Sequence, residues 1–240
     1  MRAFKLLRTL VDEGKNDLFI VGDAHQRIYG HKVVLGQCEI NVRGRSKKLK
    51  LNYRTTDEIR KWAVALFNGE NIDDLDEGTD SNRDYKSLYN GPKPEVKNFE
   101  TFDEEVTYIH QYIENIKKTD NESKICLVVR TQKLVDVYSD YFSKSNMKTI
   151  KISRNSKDDL SNTDVRIATM HRVKGLDFDH VIIASMNKGI VPLETIEKSD
   201  EDLINSENLQ KEKSLVFVAA TRAKKSLLVT SYGITSEILR

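Results

Sequence analysis

The apolar positions along the chain follow two rhythms. Phe4, Leu7, Leu10 and Val11 recur at helical spacing and predict a helix over about residues 3–13. Leu18-Phe19-Ile20-Val21 is instead an unbroken apolar run closed by Gly22-Asp23. That is the pattern of a parallel strand buried on both faces, with a polar tip at its carboxyl end. Leu49-Lys50-Leu51 alternates as a strand does and leads into Asn52-Tyr53-Arg54. Thr55 and Thr56 can cap a helix that reaches about residue 68, with Ile59, Trp62, Ala63 and Leu66 on one face. The stretch 69–94 is acidic, carries Asn and Gly, and ends in Gly91-Pro92-Lys93-Pro94, which reads as a long, mobile surface loop. Beyond it the two rhythms alternate strictly. Strands are predicted near 96–99, 125–129, 148–152, 165–168, 180–184 and 226–230, and helices near 103–118, 133–143 and 208–223. Such alternation predicts an α/β fold with a mainly parallel sheet flanked by helices, and ligands at the carboxyl ends of the strands.

Composition narrows the picture. The chain has 240 residues, 38% hydrophobic and 32% charged, which suits one or two globular domains. No apolar run approaches the roughly 20 residues that span a bilayer, and the N-terminus lacks the apolar centre of a signal peptide. Two cysteines, Cys38 and Cys126, fit a reducing compartment. A cytoplasmic protein without membrane contact is the expectation. The five histidines and two cysteines show no metal-ligand spacing. Net charge is only +2, but it is unevenly placed. Arg43, Arg45, Lys47, Lys48 and Lys50 form a basic run, and Asp73, Asp74, Asp76, Glu77 and Asp80 an acidic one. A basic run is more often a solvated face than a phosphate site.

Chemistry concentrates at the ends of the predicted strands. Four blocks stand there in order: GDAHQRIY from Gly22, LNYRTT from Leu51, ATMHRVKGLDFDHVII from Ala168 and VFVAATRA from Val216. Arginine meets phosphate oxygens with a planar fork of donors and stays charged, so Arg54 and Arg222 suit a triphosphate on which charge develops. A pair of isolated arginines is more often structural; the motifs around these two reverse that reading.

With these four blocks the chain resembles the superfamily 1 helicases of the UvrD/Rep/PcrA type, matching their motifs III to VI over nearly its whole length. The resemblance implies a RecA-like, P-loop NTPase-type fold and an ATP-dependent DNA helicase or translocase with ATP and Mg²⁺ as cofactors and 3′ to 5′ polarity. It assigns Arg54 and Arg222 to the γ-phosphate as arginine fingers, worth about 10³–10⁵ in rate. Gln26 becomes the γ-phosphate sensor, and Tyr53 stacks on adenine. Asp177 stands where the family usually has a glutamate that bonds the ribose, which keeps the acceptor but shortens its reach. Tyr29, His31, Thr169, His171 and Lys174 match or neighbour positions that face DNA. The family's tryptophan after the Tyr29 position is replaced by Gly30-His31-Lys32, so the strong stacking platform is missing.

No stretch reads G-x-x-x-x-G-K-[ST], and no predicted strand ends in an Asp-Glu pair for Mg²⁺. The expectation is therefore a C-terminal portion. Residues 1–36 would be the tail of a first RecA-like domain and 37–240 the second. About 115 residues separate Arg54 from Thr169, too few for the family's large inserted subdomain. Single-stranded or partly duplex DNA and the N-terminal RecA-like domain are the expected partners. Alone, the chain is expected neither to hydrolyse ATP nor to hold a cofactor tightly. The alternative is a non-catalytic helicase-like module that binds DNA or a protein.

Overall fold

The computed structural model describes residues 2–23, 26, 28, 33–42, 44–67, 85–153, 164–194 and 202–239. Continuous apolar runs form the middle of a six-stranded, all-parallel sheet, because strands with helices on both faces have no wet side. Its members are β3 (Glu95–Phe99), β4 (Ile125–Val129), β5 (Thr149–Lys151), β6 (Val165–Thr169), β7 (Phe178–Ile183) and β8 (Ala223–Tyr232), in the order β3-β8-β7-β4-β6-β5. Every residue of β4 is buried. A second, two-stranded parallel sheet pairs β1 (Leu51–Thr56) with β2 (Lys86–Tyr89).

Side chains alternate across the main sheet and divide the core in two. Leu127 of β4, Ile167 of β6 and Ile182 of β7 face α3 (Phe102–Thr119) and α4 (Gln132–Lys144). Cys126 and Val128 of β4, with Val181 and Ile183 of β7, face α2 (Asp57–Ala65) and α5 (Asp202–Ala220). Threonine caps three of these helices. Thr56, Thr101 and Thr131 accept from the backbone N–H three residues on, at 3.4, 3.3 and 3.3 Å. Both cysteines are buried free thiols. Among the described residues no helix is long and apolar enough to cross a membrane.

The N-terminal residues depart from the sequence reading. The first helix, α1 (Arg2–Leu10), forms but buries none of its residues. Leu18–Val21 is not a strand. Leu18 and Ile20 pack against a small cluster of Leu35, Cys38 and Ile40, whereas Phe19 and Val21 are 93% and 75% exposed. A strand exists only where a neighbour pairs with it, and none does so among the described residues. The expected loop 69–94 also contains β2, while residues 68–84 lie outside the described set. The last helix begins at Asp202 rather than near 208 and ends at Ala220 rather than 223, since Ala223 already pairs with Phe178 at the start of β8.

A carboxylate of α3 lies deep inside the fold. Glu105 of α3 is fully buried. It accepts from the Tyr138 hydroxyl at 2.6 Å and from the Ser185 backbone N–H at 3.0 Å. Its ties join α3, α4 and the exit of β7, where Ser185 takes a left-handed φ of 56°. Tyr138→Phe removes the shorter bond and is expected to lower unfolding free energy by about 1–3 kcal/mol in urea titrations. An unchanged stability would show that Glu105 is satisfied without the phenol.

Candidate functional site

Local chemistry shapes β1 for display. The Asn52 side-chain carbonyl accepts from the backbone N–H of Arg54 at 2.8 Å, and its amide donates to the Thr55 hydroxyl at 2.6 Å. This Asx-type bracing fixes the backbone at Tyr53 and Arg54. The Tyr53 side chain stays largely exposed, at 67%, and Arg54 is exposed as well. At Gly91 an added Cβ would come within 2.6 Å of Thr56 Cγ2 and 3.3 Å of the Lys225 carbonyl. Glycine there lets β1 approach the start of β8.

Arg222 arrives from the other direction. It follows α5, with its Nε donating to the Val218 carbonyl at 3.1 Å and its own carbonyl accepting from Phe178 N–H at 3.0 Å. The side chain is 2% exposed. Between the two arginines stands Asp177. Its Oδ1 lies 3.1 Å from Arg54 Nε and 4.0 Å from a terminal nitrogen of Arg222. That oxygen makes no aligned hydrogen bond, so the contact is Coulombic. Burial, and then the neighbouring Arg54, push the Arg222 pKa down, while Asp177 and Asp23 oppose the shift. Two guanidinium groups thus share one carboxylate oxygen in a partly desolvated place, with Asp23 as a second acidic neighbour of Arg222. An anion that displaces these carboxylates would find both guanidinium groups already gathered.

Gln26 reaches the same neighbourhood through its surroundings. Its side-chain amide donates to Asp23 at 2.8 Å, and its backbone carbonyl accepts from Lys174 Nζ at 3.3 Å. Tyr29 and His31 lie outside the described residues.

The site corrects one expectation. Arg54, Asp177 and Arg222 gather at the amino ends of β7 and β8, not at the carboxyl ends of strands. The reason is topological. Segment 170–177 leaves the carboxyl end of β6 and must reach the amino end of β7, which it does over the face that α5 also covers. Gly175, with φ of 90°, supplies a backbone conformation open to few other residues near the end of that crossing. Thr169 and His171 therefore remain at the carboxyl edge, roughly one strand length, about 17 Å, from Asp177.

Around His171 the structure adds two residues that the sequence did not single out. Arg130, just beyond β4, donates from Nε and a terminal nitrogen to the two carboxylate oxygens of Glu212 on α5, at 2.9 and 2.7 Å. Both side chains are nearly buried, at 12% and 4% exposure. Burial and then the Arg130 charge push the His171 pKa down, against the opposing pull of Glu212. Neither residue carried a local signal. Arg130 closes an apolar strand and Glu212 sits among the charges QKEKS, and only the fold joins them. Asn52 lay inside a recognised block, and its spacing two residues before Arg54 was the available signal.

Comparison with known proteins agrees with the fold, and the matched residues contain the three blocks that begin at Leu51, Ala168 and Val216. The profile of the UvrD-like helicase C-terminal domain matches residues 47–156 and 148–233. The ATP-dependent DNA helicase Rep of Buchnera aphidicola subsp. Schizaphis graminum is 39% identical over 66 residues, 28% of this chain and 9% of that protein. The probable DNA helicase II homolog of Mycoplasma genitalium is 31% identical over 93 residues, 39% of this chain and 12% of its own length. The chain thus spans about a tenth of the length of these relatives. A crystal structure of the C-terminal domain of a possible DNA helicase from Lactobacillus plantarum WCFS1 has the same fold, with a TM-score of 0.55 and 16% identity over 78% of this chain and 92% of that one. With the profile covering most of its sequence, the chain belongs to the UvrD-like helicase C-terminal domain family.

Proposed function

We propose that this domain forms one wall of an ATP site in an ATP-dependent DNA helicase or translocase. The observation that carries the reading is the convergence of Arg54 and Arg222 on a single carboxylate oxygen. A γ-phosphate offers the arginines more negative charge and three oxygens, so it competes with Asp177 for both. Its arrival releases the Asp177 carboxylate, which is then free to accept from a ribose hydroxyl. Tyr53 presents a ring for adenine, and the Gln26 amide exchanges Asp23 for the terminal phosphate. Among the described residues no group of three or more potential metal ligands occurs. The metal and the phosphate-binding loop belong to a first RecA-like domain, whose tail residues 1–36 would be. The exposure of Phe19 and Val21 supports this, as the apolar run lacks the neighbours that would bury it.

Thr169 and His171 at the carboxyl edge form the face for a DNA strand, and the exposed Lys174, bonded to the Gln26 backbone carbonyl, follows them in the crossing. Closure of the nucleotide cleft and grip on the strand alternate, which advances the protein.

The decisive variant is Arg54→Ala, because Arg222 packs too deeply for its truncation to spare the fold. Arg54 is 45% exposed and its ion pair contributes little stability. Combined with a phosphate-loop domain, the wild-type chain is expected to show DNA-stimulated ATP turnover, and Arg54→Ala to lower kcat by about 10³ or more with an unchanged melting temperature. Full turnover by the variant removes Arg54 from the mechanism. DNA binding with no turnover by the wild-type pair favours the non-catalytic module.

A second expectation concerns protonation. His171 and His180 both have pKa values lowered by burial. As pH falls below about 6.5 the unfolded chain takes up these protons first, so the associated stability is intact above that pH and is lost on acidification. His171 then meets a nucleic-acid phosphate as a neutral N–H donor. Its ring resonances should titrate below the ordinary histidine midpoint; a midpoint above it would place a carboxylate, not Arg130, as the dominant neighbour.

A further inference from the structure

Two segments cross the same face of the sheet and meet at its amino edge. Segment 170–177 leads from His171 at the carboxyl edge to Asp177 at the amino edge. The buried half of α5 runs the same way, from Glu212 to Arg222. At the amino edge the two are joined by the carbonyl of Arg222 on the Phe178 N–H and by Asp177 against Arg222. At the carboxyl edge the Arg130–Glu212 fork ties α5 to the tip of β4.

We propose that Arg130 and Glu212 are positioning residues that set where Arg222 stands, by pinning α5 to the tip of β4. This rests on the reading of Arg222 as a phosphate contact. The physical argument has three steps. First, Leu215–Ala220 hold α5 on the sheet through apolar contacts, and these are non-directional, so they tolerate small slides and rotations of a helix. Second, a two-point guanidinium–carboxylate fork fixes direction as well as distance. A buried ion pair is a poor way to gain stability, because desolvation of both charges offsets their attraction. A pair kept at 12% and 4% exposure is thus better explained by the geometry it enforces. Third, the last turn of α5 transmits that geometry. From Glu212 to Ala220 is about 12 Å of continuous helix, and Arg222 Nε is bonded back to Val218 within it. Where the helix stands, Arg222 stands.

The test separates position from stability. Arg130→Met combined with Glu212→Met replaces both charges by apolar side chains and is expected to keep the melting temperature within about 3 °C of wild type. In that double variant of the chain, the Arg222 Nε–H NMR signal, assigned by its loss in Arg222→Lys, should shift, and its exchange with water should rise about ten-fold. The charge-exchanged pair, Arg130→Glu with Glu212→Arg, should return the signal towards wild type. An Arg222 signal identical to wild type in a stable double variant would overturn the proposal, leaving the pair structural only. With a phosphate-loop domain added, the double variant should lose kcat and keep KM. A displaced Arg222 signal alongside no ATP turnover even in wild type would uphold the pinning and discard the nucleotide reading.

Discussion

Like charges do not assemble unaided. Arg54 and Arg222 stand close enough for one to lower the pKa of the other, and everything around them is arranged to make that proximity tolerable. The backbone of Arg54 is braced by Asn52, β1 is drawn against β8 by the absence of a side chain at Gly91, and Arg222 is tied into the end of a buried helix. Asp177 supplies the compensating charge. It does so without an aligned hydrogen bond, and that matters. A fork-to-fork pair would lock the arginines to the protein's own carboxylate, as Arg130 is locked to Glu212. The looser contact holds them in place and leaves them free to exchange partners. The two arginine–carboxylate arrangements in this domain thus differ in kind, one exchangeable and one fixed.

Much of this was legible in the sequence, for definite reasons. Ile125–Val129 is an unbroken apolar run with helical patterns on either side, and it became the fully buried β4. Thr56 was readable as a cap because its hydroxyl has a ready partner three residues on, which is a purely local bond. The same rule misled at Leu18–Val21. Apolar continuity announces that a segment wants to be covered, but not that its neighbours lie within the described residues. The main departure was in where Asp177 and Arg222 stand. Strand-end chemistry pointed to carboxyl edges, and Thr169 conforms. Asp177 and Arg222 do not, since a crossover without a helix and a returning helix both deliver their last residues to the opposite edge. That information lies in the strand order, which no local pattern encodes. Arg130 and Glu212 were invisible for the related reason that 82 positions separate them in the chain.

The aspartate at position 177 has a consequence for how such a site works. The resemblance expects glutamate there, with one more methylene and so about 1.5 Å more reach. In this fold the carboxylate carbon skeleton leaves the backbone directly beside Arg54 and Arg222, where the shorter side chain already brings Oδ1 to 3.1 and 4.0 Å. A longer one would overshoot that midpoint unless it bent aside towards a ribose. Aspartate therefore favours restraint of the arginines over further reach. On the proposed nucleotide reading, a ribose would be met only after a phosphate had claimed the guanidinium groups: charge first, sugar second.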